Sequence, residues 1–350
     1  MNNFSKNIIK NNFSIRQALV ALNELGKKAN LTLFVLNSDE QLIATLTDGD
    51  IRRALLAGKT LDDSIDDIMH KGFRSLKENG FELGTLRNFR EAELELIPLL
   101  DDENRIIRII DLNETQSLLP IDAVIMAGGE GKRLLPLTEK KPKPLLKIGE
   151  KPILDYAVNR LRRFGISNIH ISVNYLKEKI IGHFGNGKGN FVNIQYVEET
   201  EPLGTMGAVS LINNFRNDYV LVMNSDLLTN IDFEDLFLTF IEKKADMAVA
   251  SIPYKIRVPY ATLEVNDNIV NSFKEKPTFT YYSNAGIYLM KKELVDFIPK
   301  NTRFDATDLM EKVIAEKLKL ISYPILGYWL DIGRPEDYEK AQEDIKHLKL

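Results

Sequence analysis

At 350 residues the chain is more than twice the ~150 residues of a common domain, so two domains, or one with a substantial appendage, are expected. Its 46 basic and 50 acidic side chains leave a formal charge of −4, which argues against a surface holding nucleic acid by general attraction and confines any basic site to a local cluster. There is no cysteine, which removes disulfides, thiolate chemistry and cysteine metal clusters and fits a reducing cytosol. The opening MNNFSKNIIKNNFSI lacks the apolar segment of a secretory leader, and no apolar run nears the ~20 residues of a membrane helix. A soluble cytoplasmic protein with no membrane partner is expected.

In chain order, the first predicted helix begins at Ser14, where Gln17 three residues on completes a capping box. Ile15, Ala18, Leu19 and Leu22 form its apolar stripe, and Gly26 can end it. LFVLNSDEQLIATLT (33–47) then aligns with IPLLDDENRIIRIID (97–111) at an offset of 64, apolar against apolar on both flanks of an acidic or amide-rich turn. This predicts a duplicated strand-turn-strand unit, with a second helix, IRRALLAG, after the first copy. TLTDGDIRRALLAG resembles the nucleotide-binding end of a tandem cystathionine-β-synthase (CBS) module. That resemblance implies a regulatory or dimerisation domain over residues 1–116, with Thr47 and Asp50 holding an adenine nucleotide. The second copy has Asp111 and Glu114 at the matching places and Arg108 where glycine is usual. Two readings stand for the module: nucleotide binding, or a scaffold that only pairs two chains into a homodimer or higher oligomer.

From about residue 120 the pattern alternates apolar runs with amphipathic segments. IDAVIMAGG, NIHISV, VNIQYVEE and YVLVMNSD read as strands, and ILDYAVNRLRRF as a helix with Ile153, Ala157, Leu161 and Phe164 on one face. Such alternation predicts a parallel sheet wrapped by helices, with ligands collecting at the carboxyl ends of its strands.

The first of those strand ends carries MAGGEGKRLLPLTEKKPKPLL (126–146). Gly128, Gly129 and Gly131 allow backbone amides to approach an anion closely, and Arg133, Lys140, Lys141 and Lys143 can neutralise it. Pro136, Pro142 and Pro144 make this an extended cationic strap and disfavour an α-helix. The dinucleotide fingerprint fails because Leu134 replaces its third glycine. The P-loop fails at Met126 and Arg133. Taken alone, the glycines are equally compatible with a tight turn.

The full string resembles the opening motif of the sugar-1-phosphate nucleotidyltransferases. EETEPLGTMGA (198–208), VMNSD (222–226), FKEKP (273–277), NAGIY (284–288) and YWLDIGRPEDY (328–338) follow in that family's order. Departures fall at Lys132, Met206, Ser225 and Ala261. The resemblance implies an α/β chain in which a CBS pair precedes a Rossmann-like, glycosyltransferase-A-type nucleotidyltransferase domain (120–350) with a mixed central sheet. It implies that an NTP and a sugar 1-phosphate give a nucleoside-diphosphate sugar and pyrophosphate, a step needing alignment and charge neutralisation more than a protein nucleophile. By the same resemblance, Ala127, Gly128, Gly129, Gly131 and Gly204 contact the NTP, Arg133 and Lys143 act on its phosphates, and Lys276 grips the sugar phosphate beside Glu275 and Asn284. Asp226 and Asp331 then hold Mg2+, each with a plain alternative as a strand-end cap or turn.

Thr205 reads by default as the cap of a helix TMGAVSLINNF. The four histidines, His70, His170, His183 and His347, have no metal-ligand spacing. The likeness of GGEG with PKPLL to guanylyl-transferring members points to GTP, with mannose or glucosamine 1-phosphate for surface-glycan precursors. The alternatives are a uridylyl-, cytidylyl- or thymidylyltransferase, a catalytically silent nucleotide sensor, or a glycosyltransferase of similar fold. The last would use an Asp-x-Asp motif where this chain has Asn224-Ser225-Asp226.

Overall fold

The computed structural model of the protein describes residues 4–26, 30–77 and 84–348. The ends of the expected 1–116 and 120–350 domains, residues 1–3 and 349–350, lie outside the described residues. The chain forms two compact units, residues 1–118 and 119–350.

In the first unit, β1 (Ile8–Lys10) leads into α1 (Ile15–Leu25), then β2 (Thr32–Leu36), β3 (Leu42–Thr47) and α2 (Asp48–Leu56). The Ser14–Gln17 capping box forms, Gly26 ends α1 at φ 87°, and Ile15, Ala18 and Leu22 are its buried face. The remaining elements are β4 (Leu76–Lys77), α3 (Thr85–Glu91), β5 (Leu96–Leu100) and β6 (Ile106–Asp111). The sheets are ordered β1-β2-β3 and β4-β5-β6.

The duplication is visible in the register. Leu33 faces Leu46 and Ile97 faces Ile110, and both ladders shift register after Val35 and after Leu99. Glu40 and Asn104, again 64 apart, share a positive φ. Gln41 forms an antiparallel bridge with Arg105, its own counterpart, so a local two-fold axis passes between the copies. Phe34, Leu36 and Leu42 of one copy bury against Leu96, Leu100 and Ile109 of the other. Each such side chain contributes roughly 1.5–3 kcal/mol when taken from water, so each copy supplies the other's core.

The second unit begins with β7 (Ile121–Met126), followed by a two-stranded ladder of β8 (Lys147–Ile148) and β9 (Lys151–Pro152), and by α4 (Ile153–Arg163). α4 buries Ile153, Leu154, Ala157, Val158 and Leu161, and its last turn carries three arginines that suit the negative end of the helix dipole. Next come β10 (Asn168–Val173), α5 (Lys177–Phe184), β11 (Asn193–Glu198), β12 (Tyr219–Asn224), β13 (Leu227–Thr229) and α6 (Phe233–Glu242). The chain ends with β14 (Met247–Arg257), β15 (Thr262–Asn266), β16 (Ile269–Lys274), β17 (Thr278–Lys291), α7 (Ala306–Ala315), β18 (Leu320–Pro324), β19 (Trp329–Asp331) and α8 (Pro335–Asp344).

The central sheet has seven strands ordered β11-β10-β7-β12-β17-β14-β18. Its first four are parallel, as the alternating pattern predicted. β17 runs antiparallel to both β12 and β14, so the sheet is mixed, as the family resemblance implied and the alternating pattern by itself did not. The reason is local: β14 and β17 are consecutive arms joined through the β15–β16 hairpin, and a chain that folds straight back must pair antiparallel. Asp122, fully buried in β7, is kept affordable in apolar surroundings by accepting from Asn168 Nδ2, Asn217 N and Asn217 Nδ2 at 2.8–3.0 Å.

Candidate active site

β7, β10 and β12 end level with one another, Met126 pairing with both Ser172 and Asn224. Their carboxyl ends open on a cleft of about 490 Å³, the place where open α/β sheets bind ligands. Gly128, Gly129, Gly131, Arg133, Lys143, Gly204 and Asp226 line it. Ala127 lies just behind, buried, its amide donating to Ser172 O at 3.0 Å.

The loop after β7 follows the strap reading in outline. It contains only two short 3-10 turns, Lys132–Leu134 and Lys143–Leu145. Thr138 Oγ1 donates to Gly131 O at 3.0 Å, and Tyr175 Oη reaches the carbonyls of Thr138 and Glu139, which fasten the strap to the segment after β10. Gly131 sits at φ 65° with Thr138 and Lys143 carbons 3.0–3.1 Å from where a Cβ would stand, so a side chain meets both backbone strain and crowding there. Of the four basic residues expected to serve the loop, Arg133 and Lys143 line the cleft, while Lys140 and Lys141 are not among its lining residues.

Lys143 is only 8% exposed, unusual for a lysine unless paired. Its Nζ donates to Asp226 Oδ2. β13 and β19 form a short antiparallel ladder in which Leu227 faces Asp331, and Ile332 N donates to Asp226 O at 3.0 Å. That ladder brings together two aspartates separated by about a hundred residues in sequence. Burial, and then the charge of Asp226, push the Asp331 carboxyl up to about 6, against the opposing pull of Lys143 and Arg133. Arg133 stands over Gly333, its guanidinium nitrogens 3.5 Å from where a Cβ would begin.

Asp226 Oδ1 and Asp331 Oδ1 are both buried without a hydrogen-bond partner among the described residues. Unmatched buried carboxylate oxygens are costly, and two of them together suit a small divalent cation that takes a few carboxylates and fills its remaining positions with phosphate oxygens and water. Mg2+ fits this donor set. No grouping of three or more His, Cys, Asp or Glu residues suited to a metal occurs among the described residues.

The sugar-side candidates lie elsewhere. Glu275 and Lys276 occupy the connection between β16 and β17, both more than half exposed and 4.0 Å from each other, and neither lines the cleft. Asn284 stands on β17, donating to Tyr288 Oη and accepting from Gly286 N. Thr47 and Asp50, in the first unit, form a reciprocal capping box at the start of α2, and Arg53 pairs with Asp50.

Thr205 is not the cap of its own downstream helix. TMGAVSLINNF contains only a 3-10 turn, Gly207–Leu211, whose cap position is Met206. The Thr205 hydroxyl instead accepts from Ala306 N at 2.9 Å, and its amide donates to Asp305 Oδ1, so it serves the start of α7 one hundred residues away. Gly204, at φ 81°, lies so close that a Cβ would stand 2.7 Å from Asp305 Oδ1.

Asn174 and Glu199 are lining residues that were not singled out from sequence. Glu199 accepts from Ser172 Oγ and from Leu203 N, its carbonyl accepts from Asn174, and its Oε1 fills the space a Cβ would need at Gly128. Each follows a strand of the parallel set, β10 or β11, so the strand-end rule applied to every strand, beyond β7 and β12, would have found them. None of the histidines lines this cleft. His170 is buried in β10, and burial pushes its imidazole pKa down.

Residues 122–347 match the family described as nucleotidyl transferase. A D-glycero-alpha-D-manno-heptose 1-phosphate guanylyltransferase of Aneurinibacillus thermoaerophilus is 34% identical over 233 residues, 65% of this chain and 99% of that protein. The bifunctional protein GlmU of Methanocaldococcus jannaschii is 33% identical over 230 residues, 64% of this chain but only 54% of its own length, so the chain spans about half of that relative. Among solved structures, HddC from Yersinia pseudotuberculosis superposes with a TM-score of 0.50 at 27% identity, covering 64% of this chain and 99% of that one.

Proposed function

The chain belongs to the nucleotidyl transferase family through residues 122–347, and from that premise we propose that it transfers a nucleoside monophosphate from an NTP, GTP first among them, to a sugar 1-phosphate, releasing pyrophosphate. The observation that carries this reading is the buried Lys143–Asp226 pair, with the two unpartnered oxygens of Asp226 and Asp331, at the mouth of a glycine loop.

In this reading the amides of Gly128, Gly129 and Gly131 and the charges of Arg133 and Lys143 bind the triphosphate and fix the α-phosphorus in line with the incoming sugar phosphate oxygen. Asp226 and Asp331 would hold Mg2+, which supplies charge neutralisation on phosphate oxygens when bound. The nucleophile is an anion already, so no residue has to remove a proton from it, and positioned positive charge carries most of the rate. Gly204 and Ala127 border the nucleotide, and Lys276, Glu275 and Asn284 receive the sugar phosphate.

The GTP preference draws support from the guanylyltransferase named above; mannose, glucosamine and manno-heptose 1-phosphates are the first acceptors to try, with surface-glycan precursors as the products' destination. For residues 1–116 we propose a CBS-type regulatory module that pairs chains and takes an adenine nucleotide at Thr47 and Asp50. The internal two-fold of that unit supports this reading. A panel of GTP, UTP, CTP and dTTP against these sugar 1-phosphates, followed by pyrophosphate release, tests activity, base and sugar together. No release from any combination would defeat the proposal and favour a silent nucleotide sensor.

A further inference from the structure

Beyond Ser251, β14 pairs, among the described residues, with β17 alone, its contact with β18 ending at that residue. From there to Asn284 the chain forms a two-stranded ribbon followed by the β15–β16 hairpin, and nearly every residue is exposed. A solvated ribbon is expected to be polar. This one pairs Tyr254 with Tyr281 and Ile256 with Phe279, and these four share a face because cross-strand partners and alternate residues point the same way. On the hairpin, Leu263 faces Phe273 and Val265 faces Val270. Phe273 is 68% exposed, Leu263 57% and Tyr281 56%. The opposite face of the ribbon carries Lys255 and Arg257 against Thr280 and Thr278, with Pro253 against Tyr282 beside them, so the charged residues of the ribbon are confined to that face.

We infer that this apolar ribbon is a self-association surface, occupied by the same ribbon of a second copy of the chain. Aromatic side chains bury ~150–250 Å² each. The four ribbon residues and the four on the hairpin are each at least a third exposed, so a twin seated on both ribbon and hairpin would cover an area on the order of the ~800 Å² per partner of a standard interface. Two-fold packing requires a face complementary to itself, and an apolar face meets that condition. Charge allows it too: residues 251–284 carry four basic and three acidic side chains, so a twin is not repelled as it would be by a one-sign rim. The surface belongs to the second unit and is separate from any pairing through residues 1–116.

Sedimentation of the purified full-length chain tests it. The Ile256→Asp/Phe279→Asp double variant is expected to halve the wild-type mass, or to weaken self-association at least about 10-fold, while Lys255→Asp on the opposite face leaves the mass unchanged. The substituted side chains are solvated in one copy, so the melting temperature of the dissociated protein should hold. If that variant fails to fold, Leu263→Lys/Phe273→Lys on the hairpin is read the same way. A wild-type chain of single-copy mass, 39.9 kDa, at every accessible concentration overturns the inference and leaves the face to another partner. So does an unchanged mass and affinity in both folded variants.

Discussion

The glycine-loop side of the cleft and the exposed ribbon hold their lysines in opposite ways. Lys143 is buried, paired with Asp226 and fixed in a 3-10 turn bounded by prolines. Lys276 stands at φ 43° in a connection between strands, its side chain 60% exposed and 4.0 Å from Glu275. On the proposed nucleotide side charge is preassembled, and such groups stabilise a transition state without reorganising at the moment of reaction. On the proposed acceptor side charge is solvated, and in that proposal it acts only once its ligand is bound. In the proposed reaction the two lysines should therefore fail differently when removed.

The largest effect is expected on the preassembled side. Asp226→Asn, which keeps the volume but removes the charge facing Lys143, should lower kcat by ~100-fold or more, as loss of one positioned electrostatic group typically does. Steady-state pyrophosphate release measures it, with the melting temperature checked in parallel because an uncompensated buried lysine also destabilises. Lys276→Ala should instead raise KM for the sugar 1-phosphate by ~10-fold, in the range of one charge-assisted hydrogen bond, and leave KM for the NTP alone. Equal losses of kcat in both variants would erase the contrast.

The parts of the molecule legible in sequence are those whose cause is local. IDAVIM and YVLVMN, mostly apolar, and NIHISV, alternating apolar with polar, are short strand-like segments that end at glycine or an amide-rich turn, and the structure has them at Ile121–Met126, Asn168–Val173 and Tyr219–Asn224. The repeat at an offset of 64 was legible because both copies keep the same turn chemistry, down to the positive φ of Glu40 and Asn104. What was not legible is pairing at a distance. Periodicity gives a face but no partner, so it showed neither the antiparallel course of β17, which entered only with the mixed sheet the resemblance implied, nor the reach of Thr205 to α7. Asn174 and Glu199 escaped for a related reason: each is an ordinary polar residue after or at a strand end, and only the sheet order makes them neighbours of Gly128. The juxtaposition of Asp226 and Asp331 came from family resemblance alone, since nothing local announces the β13–β19 ladder.

Asp331 offers a smaller effect with a defined pH window. Its carboxyl is pushed up to about 6 by burial and then by Asp226, so ionising it costs the folded state more than the unfolded chain. The cost is absent below the unfolded value of ~3.9, grows as pH rises, and is complete above the folded value. In metal-free protein, Asp331→Asn should therefore be the more stable form above pH 6, by about 1–2 kcal/mol once solvent screening is allowed for. The difference should vanish toward pH 4. Thermal melts of both proteins across that range in a chelator check it. A wild-type chain that gains on the variant as pH rises would mean that the two aspartates do not burden each other.

The smallest effect distinguishes a cap from a ligand contact. Thr205 lines the cleft, yet its hydroxyl accepts from Ala306 N and its amide is held by Asp305. Thr205→Val keeps the shape and removes the acceptor, which for a capping hydroxyl costs about 1 kcal/mol. In a unit of this size that lowers the melting temperature by ~2–4 °C. Kinetics should barely change, because the backbone that positions Gly204 is tied independently through Phe304 N to Leu203 O and through Met206 N and Gly207 N to Phe304 O. A variant that melts like wild type but loses affinity for the NTP would invert the assignment, putting Thr205 among the preassembled nucleotide contacts and leaving the start of α7 to the Asp305–Asp308 capping box.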